Sequence, residues 1–200
     1  IINNKYIKAK YPQYFSKELK PFLNEPWFPK PQMHGDLIIE VYKELPDDFE
    51  DKRKTGENDG YVSRMIRDDL VKEFDTYVNQ TNYSLKSKIS QSNYETNNFL
   101  LKKLLSEGVS LIEYAAFYGS IQIFQYLRLK GVDLTPSLWK FAIHSNNPEL
   151  IHLLEENHVE CDQLDAFKEA VKCHHNSIAE YFQENYLNGE SGGPSDKLIF

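Results

Sequence analysis

The sequence predicts an all-α protein: a solenoid of stacked antiparallel helix pairs behind an irregular arm rich in Pro and aromatic residues. Three observations predict it. Residues 110–131 spell two short helices with their own stop signals. The same pattern recurs twice downstream, at shifts of 27 and then 28 residues, and internal periodicity of that size is the mark of a helical repeat. Further apolar stripes at helical spacing lie upstream, in 60–79 and 97–108.

In chain order the arm comes first. Residues 1–35 contain Tyr11-Pro12, Pro21-Phe22, Pro26-Trp27-Phe28-Pro29 and Pro31. Proline removes a helix hydrogen bond, so only short pieces such as Ser16–Lys20 are expected to be helical. The aromatic content predicts an arm packed along the first helices; docking as an extended ligand of a partner is the alternative. Asp36 can cap a helix near 36–45, where Leu37, Ile38, Val41, Tyr42 and Leu45 are helically spaced. Residues 47–59 are highly charged and read as a solvated loop; the run Asp47, Asp48, Glu50, Asp51 lacks the twelve-residue calcium-loop pattern.

Residues 60–79 read as one longer helix with a stripe of Val62, Met65, Ile66, Leu70, Phe74 and Val78. Residues 80–96, rich in Asn, Ser, Thr and Gln, read as a loop or broken helix. Asn97 or Asn98 starts a helix through Leu105, closed by Gly108. It is expected to be the outer partner of 60–79.

At Ser110 the repeats proper begin. Its hydroxyl can accept from a first-turn amide, and Glu113 completes a capping box. Gly119 ends that helix and Gly131 ends the next. Ala115 and Ala116 leave room for a neighbouring helix. At a shift of 27, Ser110 falls on Ser137, Tyr114 on Phe141, Ala115 on Ala142 and Leu127 on Leu154. At a further 28, Ser137 falls on Asp165, Ala142 on Ala170, Leu150 on Ile178 and Leu154 on Phe182. Clear units are expected near 110–135, 136–162 and 163–187, within a repeat region of 58–187. A flexible tail, 188–200, follows. The last pair then needs cover: Tyr181, Phe182 and Tyr186 stay partly bare, or Leu198-Ile199-Phe200 folds back, or the chain is a fragment of a longer array.

Composition narrows the function. Of 200 residues, 40% are hydrophobic and 14% aromatic, enough for a core; net charge is −7 and mean hydropathy −0.58. Residues 1–57 are balanced, with ten basic and ten acidic side chains, whereas 58–187 carry twelve basic and eighteen acidic. Nucleic-acid affinity rests on neutralising phosphates with Lys and Arg, so no nucleic-acid partner is expected. An acidic body is equally poor at anionic membranes, and no apolar run approaches the ~20 residues of a span. Two Cys without a disulfide framework suit a reducing compartment, which points to the cytoplasm, with the nucleus compatible.

Motifs for chemistry are sparse. Cys173, His174 and His175 adjoin, and Cys161 lies twelve residues earlier, but zinc-ligand spacings are absent. No metal, cofactor or catalytic residue is expected. A hydrolase using Cys173 and a nearby His is the minor alternative, without a visible oxyanion hole or third group. Phosphate-binding and nucleophile-elbow motifs are absent too.

Ala115-Ala116-x-x-Gly119, then Gly131, resembles the ankyrin repeat. The pattern continues as Ala142-Ile143-x-x-Asn146 and Ala170-Val171-x-x-His174. The opening Thr-Pro-Leu-His of that family is here Ser-Leu-Ile-Glu, Ser-Leu-Trp-Lys and Asp-Ala-Phe-Lys. Ankyrin units run about 33 residues, so the shorter period implies short or missing β-hairpin fingers. More narrowly, Leu111 to Ile121, Leu138 to Ile143, Ile66 to Leu70 and Asn97 to Leu100 are similar to a divergent ankyrin-type domain of unknown function, found in uncharacterised proteins of single-celled eukaryotes. The resemblance implies a non-catalytic module, monomeric, holding another protein on its concave face. Carried over by position, that face takes Phe117, Tyr118, His144, Ser145, Lys172 and Cys173, with Arg128, Lys130 and Asn157 from outer-helix ends and turns. Phe117 could be an interface anchor or could pack beneath the short linker. A capping piece of a longer array, binding nothing itself, is the alternative role.

Overall fold

The computed structural model describes residues 46–187, with Glu18 and Pro21 as isolated positions. The expected helices at 16–20 and 36–45, the rest of the arm and the tail lie outside the described residues. Among those residues the chain is all-α: ten α-helices, a closing π turn and no strand. An isolated antiparallel bridge joins Lys88 and Ser110. No helix among them is long and apolar enough to cross a membrane.

The chain forms two compact units. The described part of the first comprises 46–60 and 90–106. It holds α1 (Phe49–Thr55) and α4 (Asn98–Ser106). The expected solvated loop at 47–59 is therefore corrected: residues 49–55 within it are helical. Phe49, hidden in a charged run, is buried and meets Tyr94 edge-on at 5.7 Å. Lys52 pairs with Asp48 at 3.0 Å and Asp59 at 3.2 Å, so opposite charges along the run attract each other locally. Gly56 closes α1 at φ 69°, and its carbonyl accepts from Thr96 N at 2.9 Å and Thr96 Oγ1 at 2.8 Å. Asn97 starts α4 as expected: its Oδ1 accepts from Phe99 N and Leu100 N at 3.0 and 3.1 Å. Beside it Glu95 is buried, and burial holds its carboxyl above the usual carboxylate range despite a hydrogen bond from Asn97 N.

The second unit comprises 61–89 and 107–187 among the described residues. Four helix pairs make it up. They are α2 (Tyr61–Arg67) with α3 (Val71–Thr81), α5 (Leu111–Tyr118) with α6 (Ile121–Leu129), α7 (Leu138–Ser145) with α8 (Pro148–Glu156), and α9 (Gln163–Lys172) with α10 (Asn176–Phe182). A π turn, Gln183–Leu187, follows. The first helices of the pairs touch in series, α2 to α5 to α7 to α9. Ala115, Ala142 and Ala170 are fully buried in that row.

One backbone device repeats. Each first helix is closed by a left-handed residue: Asp69 (φ 51°), Gly119 (72°), Asn146 (53°) and His174 (58°). In three of the pairs the next amide donates back into the finished helix: Leu70 to Met65 O, Ser120 to Ala115 O and His175 to Ala170 O, at 2.9–3.0 Å. This satisfies carbonyls that a helix end otherwise leaves bare. Second helices close the same way at Asn82, Gly131 and His158.

Two expectations are corrected here. Residues 60–79 are not one helix but two, broken at Asp68–Leu70. The partner of α2 is α3 and not the helix at 98–106, which belongs to the other unit. The apolar stripe kept its helical period straight through the break and so concealed it. Leu70, counted in that stripe, is in fact exposed.

The break has a use. Asp69 turns its carboxylate onto the start of α6: Oδ2 accepts from Gln122 N at 3.0 Å and Oδ1 from Ile123 N at 2.9 Å. Buried Ser120 donates to Ile66 O at 2.5 Å. Phe74 of α3 meets Tyr126 of α6 edge-on at 5.7 Å, and the Tyr126 hydroxyl donates to Asp75 at 2.9 Å. The first pair is thus clasped to the second although 50 residues separate Asp69 from Gly119, against 27 and 28 for the later steps.

Ser110 and Glu113 form the expected capping box. The second Glu113 oxygen accepts from Ser137 Oγ at 2.7 Å. Ser137, which the 27-residue shift aligns with the cap Ser110, is itself helical in backbone and makes no side-chain cap bond on α7, so the cap does not recur there. In the last pair the cap is Asp162, accepting from Asp165 N at 2.9 Å. Asp165, the residue aligned with Ser110 and Ser137, lies inside the first turn and pairs with Lys140 at 2.7 Å.

At the far end Phe182 is fully buried against Trp139, with centroids 5.9 Å apart. Tyr181 and Tyr186 both donate to Glu155 Oε1, at 2.7 and 2.6 Å. Burial pulls the Glu155 carboxyl up, but hydrogen bonds from Tyr186, Tyr181 and His152 outweigh it and leave it below its ordinary value. A carboxyl lowered on folding adds stability above its unfolded pKa, and that stability is lost as pH falls through the folded pKa. Glu155→Gln should therefore cost about 1–2 kcal/mol at neutral pH and flatten the fall of melting temperature below about pH 4. Melting curves of both proteins against pH check this; parallel curves would refute it.

Candidate functional site

Because the first helices end by the same backbone turn at successive steps, equivalent side chains of their last turns become neighbours. Four of the predicted residues, Phe117, Tyr118, His144 and Lys172, join one row in this way. Phe117 and Tyr118 close α5, both half-buried, with centroids 5.0 Å apart. Tyr118 also meets Tyr114 at 4.8 Å, and the Arg67 guanidinium lies 6.0 Å from its ring centre. His144, near the end of α7, stacks on Phe117 at 5.6 Å and 28°. Its Nε2 lies 3.0 Å from Glu169 Oε1. Lys172, exposed at the end of α9, holds the other Glu169 oxygen at 2.8 Å.

Ser145 and Arg128 do different work. Ser145 Oγ donates to Ala142 O at 2.7 Å and accepts from Asn147 N at 3.2 Å. It fastens the turn into α8. Arg128 sits on the second helix α6 and donates to Asn157 Oδ1 at 2.8 Å, so it links two second helices, away from the row.

Glu169 is the residue sequence reasoning missed. It is 7% exposed. The repeat register did carry a signal: Tyr114 and Phe141 fall on Glu169 at the same shifts that align Ala115, Ala142 and Ala170. A carboxylate replaces the core aromatic ring of the earlier units. Cys173, the C-cap of α9, lies 3.6 Å from both ring nitrogens of His144. The sequence neighbours His174 and His175 drew notice, but the histidine beside the thiol comes from 29 residues away.

Electrostatics follow from burial. Burial lowers the His144 pKa, and the hydrogen bond and charge of Glu169 offset this only in part. Burial pulls Glu169 up, but Lys172 and His144 more than compensate and leave it below its usual value. The Cys173 thiol is pushed up by burial and then by the Glu169 charge. At neutral pH the cluster is thus a neutral imidazole, a carboxylate held by an exposed ammonium and a protonated thiol. A nitrogen, an oxygen and a sulfur donor, one from each of His144, Glu169 and Cys173, all lie within 4.8 Å of one another.

No family model matches the chain, and neither a curated protein nor a solved structure matches it.

Proposed function

We propose that the chain is a non-catalytic protein-binding module, an ankyrin-like solenoid that holds another protein on the concave face formed by the ends of its first helices. The observation that carries this reading is the row Tyr118, Phe117, His144, Lys172. It is a half-buried aromatic strip continued by an imidazole and an exposed cation. Aromatic side chains dominate interface hot spots because they bury much area for little lost rotamer freedom. Preformed helices would present the strip without an ordering cost. The excess of acidic residues in 58–187 favours a protein partner over nucleic acid.

The hydrolase reading gains a histidine and a carboxylate near Cys173, yet the geometry disfavours it. A thiol hydrogen-bonded along one ring lone pair would lie much closer to one nitrogen than the other, whereas Sγ is equidistant. A raised thiol pKa also works against a thiolate nucleophile.

The test is proximity labelling with the intact chain and with a Phe117→Ala, Tyr118→Ala double variant shown by circular dichroism to remain folded. Partners lost with the variant are the expected result, at a cost of about 2 kcal/mol or more in binding for a hot-spot pair. An unchanged partner list clears these residues. No partner for either protein would favour the capping-piece reading.

A further inference from the structure

We propose that His144, Glu169 and Cys173 form a binding site for one divalent transition-metal ion, with Zn²⁺ the best match. The inference does not depend on the partner-binding reading. It starts from the donors: an imidazole nitrogen, a carboxylate oxygen and a sulfur. Magnesium and calcium take oxygen ligands, whereas sulfur and imidazole together suit Zn²⁺ and its neighbours.

The spacing fits. Ligands about 2.0–2.3 Å from a tetrahedral ion stand roughly 3.3–3.8 Å from one another. Here His144 Nε2 and Glu169 Oε1 are 3.0 Å apart, Cys173 Sγ is 3.6 Å from the imidazole nitrogens, and no pair of donors exceeds 4.8 Å. Sγ is equidistant from the two nitrogens, so the imidazole must turn for the Nε2 lone pair to point at an ion that Sγ also reaches.

The site is also built on firm elements. Glu169 and Cys173 are four residues apart on one helix face, and His144 comes from the end of the adjacent first helix. Phe117 stacks on the imidazole, and Lys172 holds Glu169 Oε2, so Oε1 is the oxygen turned toward His144. Such outer contacts orient metal ligands. The carboxylate occupies a position that holds an aromatic ring in the two preceding pairs; Lys172 meets one of its oxygens and leaves Oε1 as the one facing His144.

On binding, coordinate bonds form from His144 Nε2, Glu169 Oε1 and Cys173 Sγ, and a solvent water takes the fourth position. The Cys173 thiol proton is released to solvent, and the imidazole proton resides on Nδ1. No electron is transferred.

Co²⁺ is the direct probe, because a thiolate ligand gives it a charge-transfer absorption in the near ultraviolet. The untagged full chain should bind one Co²⁺ with that band, and Zn²⁺ should displace it in competition with a chromophoric chelator. Cys173→Ser should abolish the band and Cys161→Ser should leave it intact. Glu169→Gln should weaken binding by more than about tenfold, a loss that even outer-shell changes reach. The wild-type spectrum alone decides the matter if a variant fails to fold. Absence of the band in the wild type overturns the proposal, as does a band that survives Cys173→Ser or disappears with Cys161→Ser.

Discussion

Phe74→Ala should destabilise the helix-pair row by about 3–5 kcal/mol, the range for deleting a fully buried ring whose surroundings collapse only in part. Phe74 has no exposed surface and lies edge-on to Tyr126 of the next pair. The ring therefore fills the seam between α3 and α6. Tyr126 would also lose the wall that directs its hydroxyl to Asp75. Chemical denaturation should show a lower midpoint, and amide exchange should accelerate first in α2 and α3. Leu129→Ala is the control: Leu129 is 77% exposed, so its loss should stay within about 0.5 kcal/mol. A Phe74→Ala loss below about 1 kcal/mol would mean that the seam carries little of the stability.

Asp69→Gly should cost about 1–2 kcal/mol, the worth of a strong N-cap. Glycine is the informative replacement because Asp69 sits at φ 51°. Glycine accepts that conformation without strain, so the change removes the carboxylate and leaves the turn. Two amides at the start of α6, those of Gln122 and Ile123, would lose their acceptor. The negative charge that favours a helix N-terminus would go as well. Asp69→Asn should cost less, since one carbonyl oxygen can still serve one amide. A glycine variant as stable as the parent, by thermal or chemical unfolding, would show that the clip contributes nothing.

The helix pairs from Ser110 onward were readable because their start and stop signals are written in residue types with specific backbone consequences. Ser110 with Glu113, Gly119 and Gly131 did what those residues do in isolation. The first pair was not readable. Its turn uses Asp69 in a conformation that aspartate adopts only with support, and the support is the α6 helix start more than 50 residues later. Phe49 was missed for a related reason: a single ring among charges reveals its partner, Tyr94, only in three dimensions. Of the site, the row of last-turn residues was expected from the ankyrin resemblance, carried over position by position. The His144–Glu169–Cys173 cluster did not, since one histidine from an earlier pair completes a set whose other members look like ordinary helix residues. The substitution of Glu169 for an aromatic was visible in the alignment of the units, and it was the strongest clue available before the fold.

The wide gap between the first two pairs bears on how much chain connectivity matters to this molecule. Closing a flexible segment becomes costlier only with the logarithm of its length, by about 0.6 kcal/mol for each doubling. The step from Asp69 to Gly119 is close to twice the later ones, so even as a wholly flexible tether the added length would weigh less than a single good cap. Attachment of α2 and α3 to the row is then governed by the few groups that meet across the seam, and hardly by the length of the tether. The stretch between α3 and α5 can vary only within limits, because its residues 90–106 pack into the first unit, where Leu100 and Leu104 are buried.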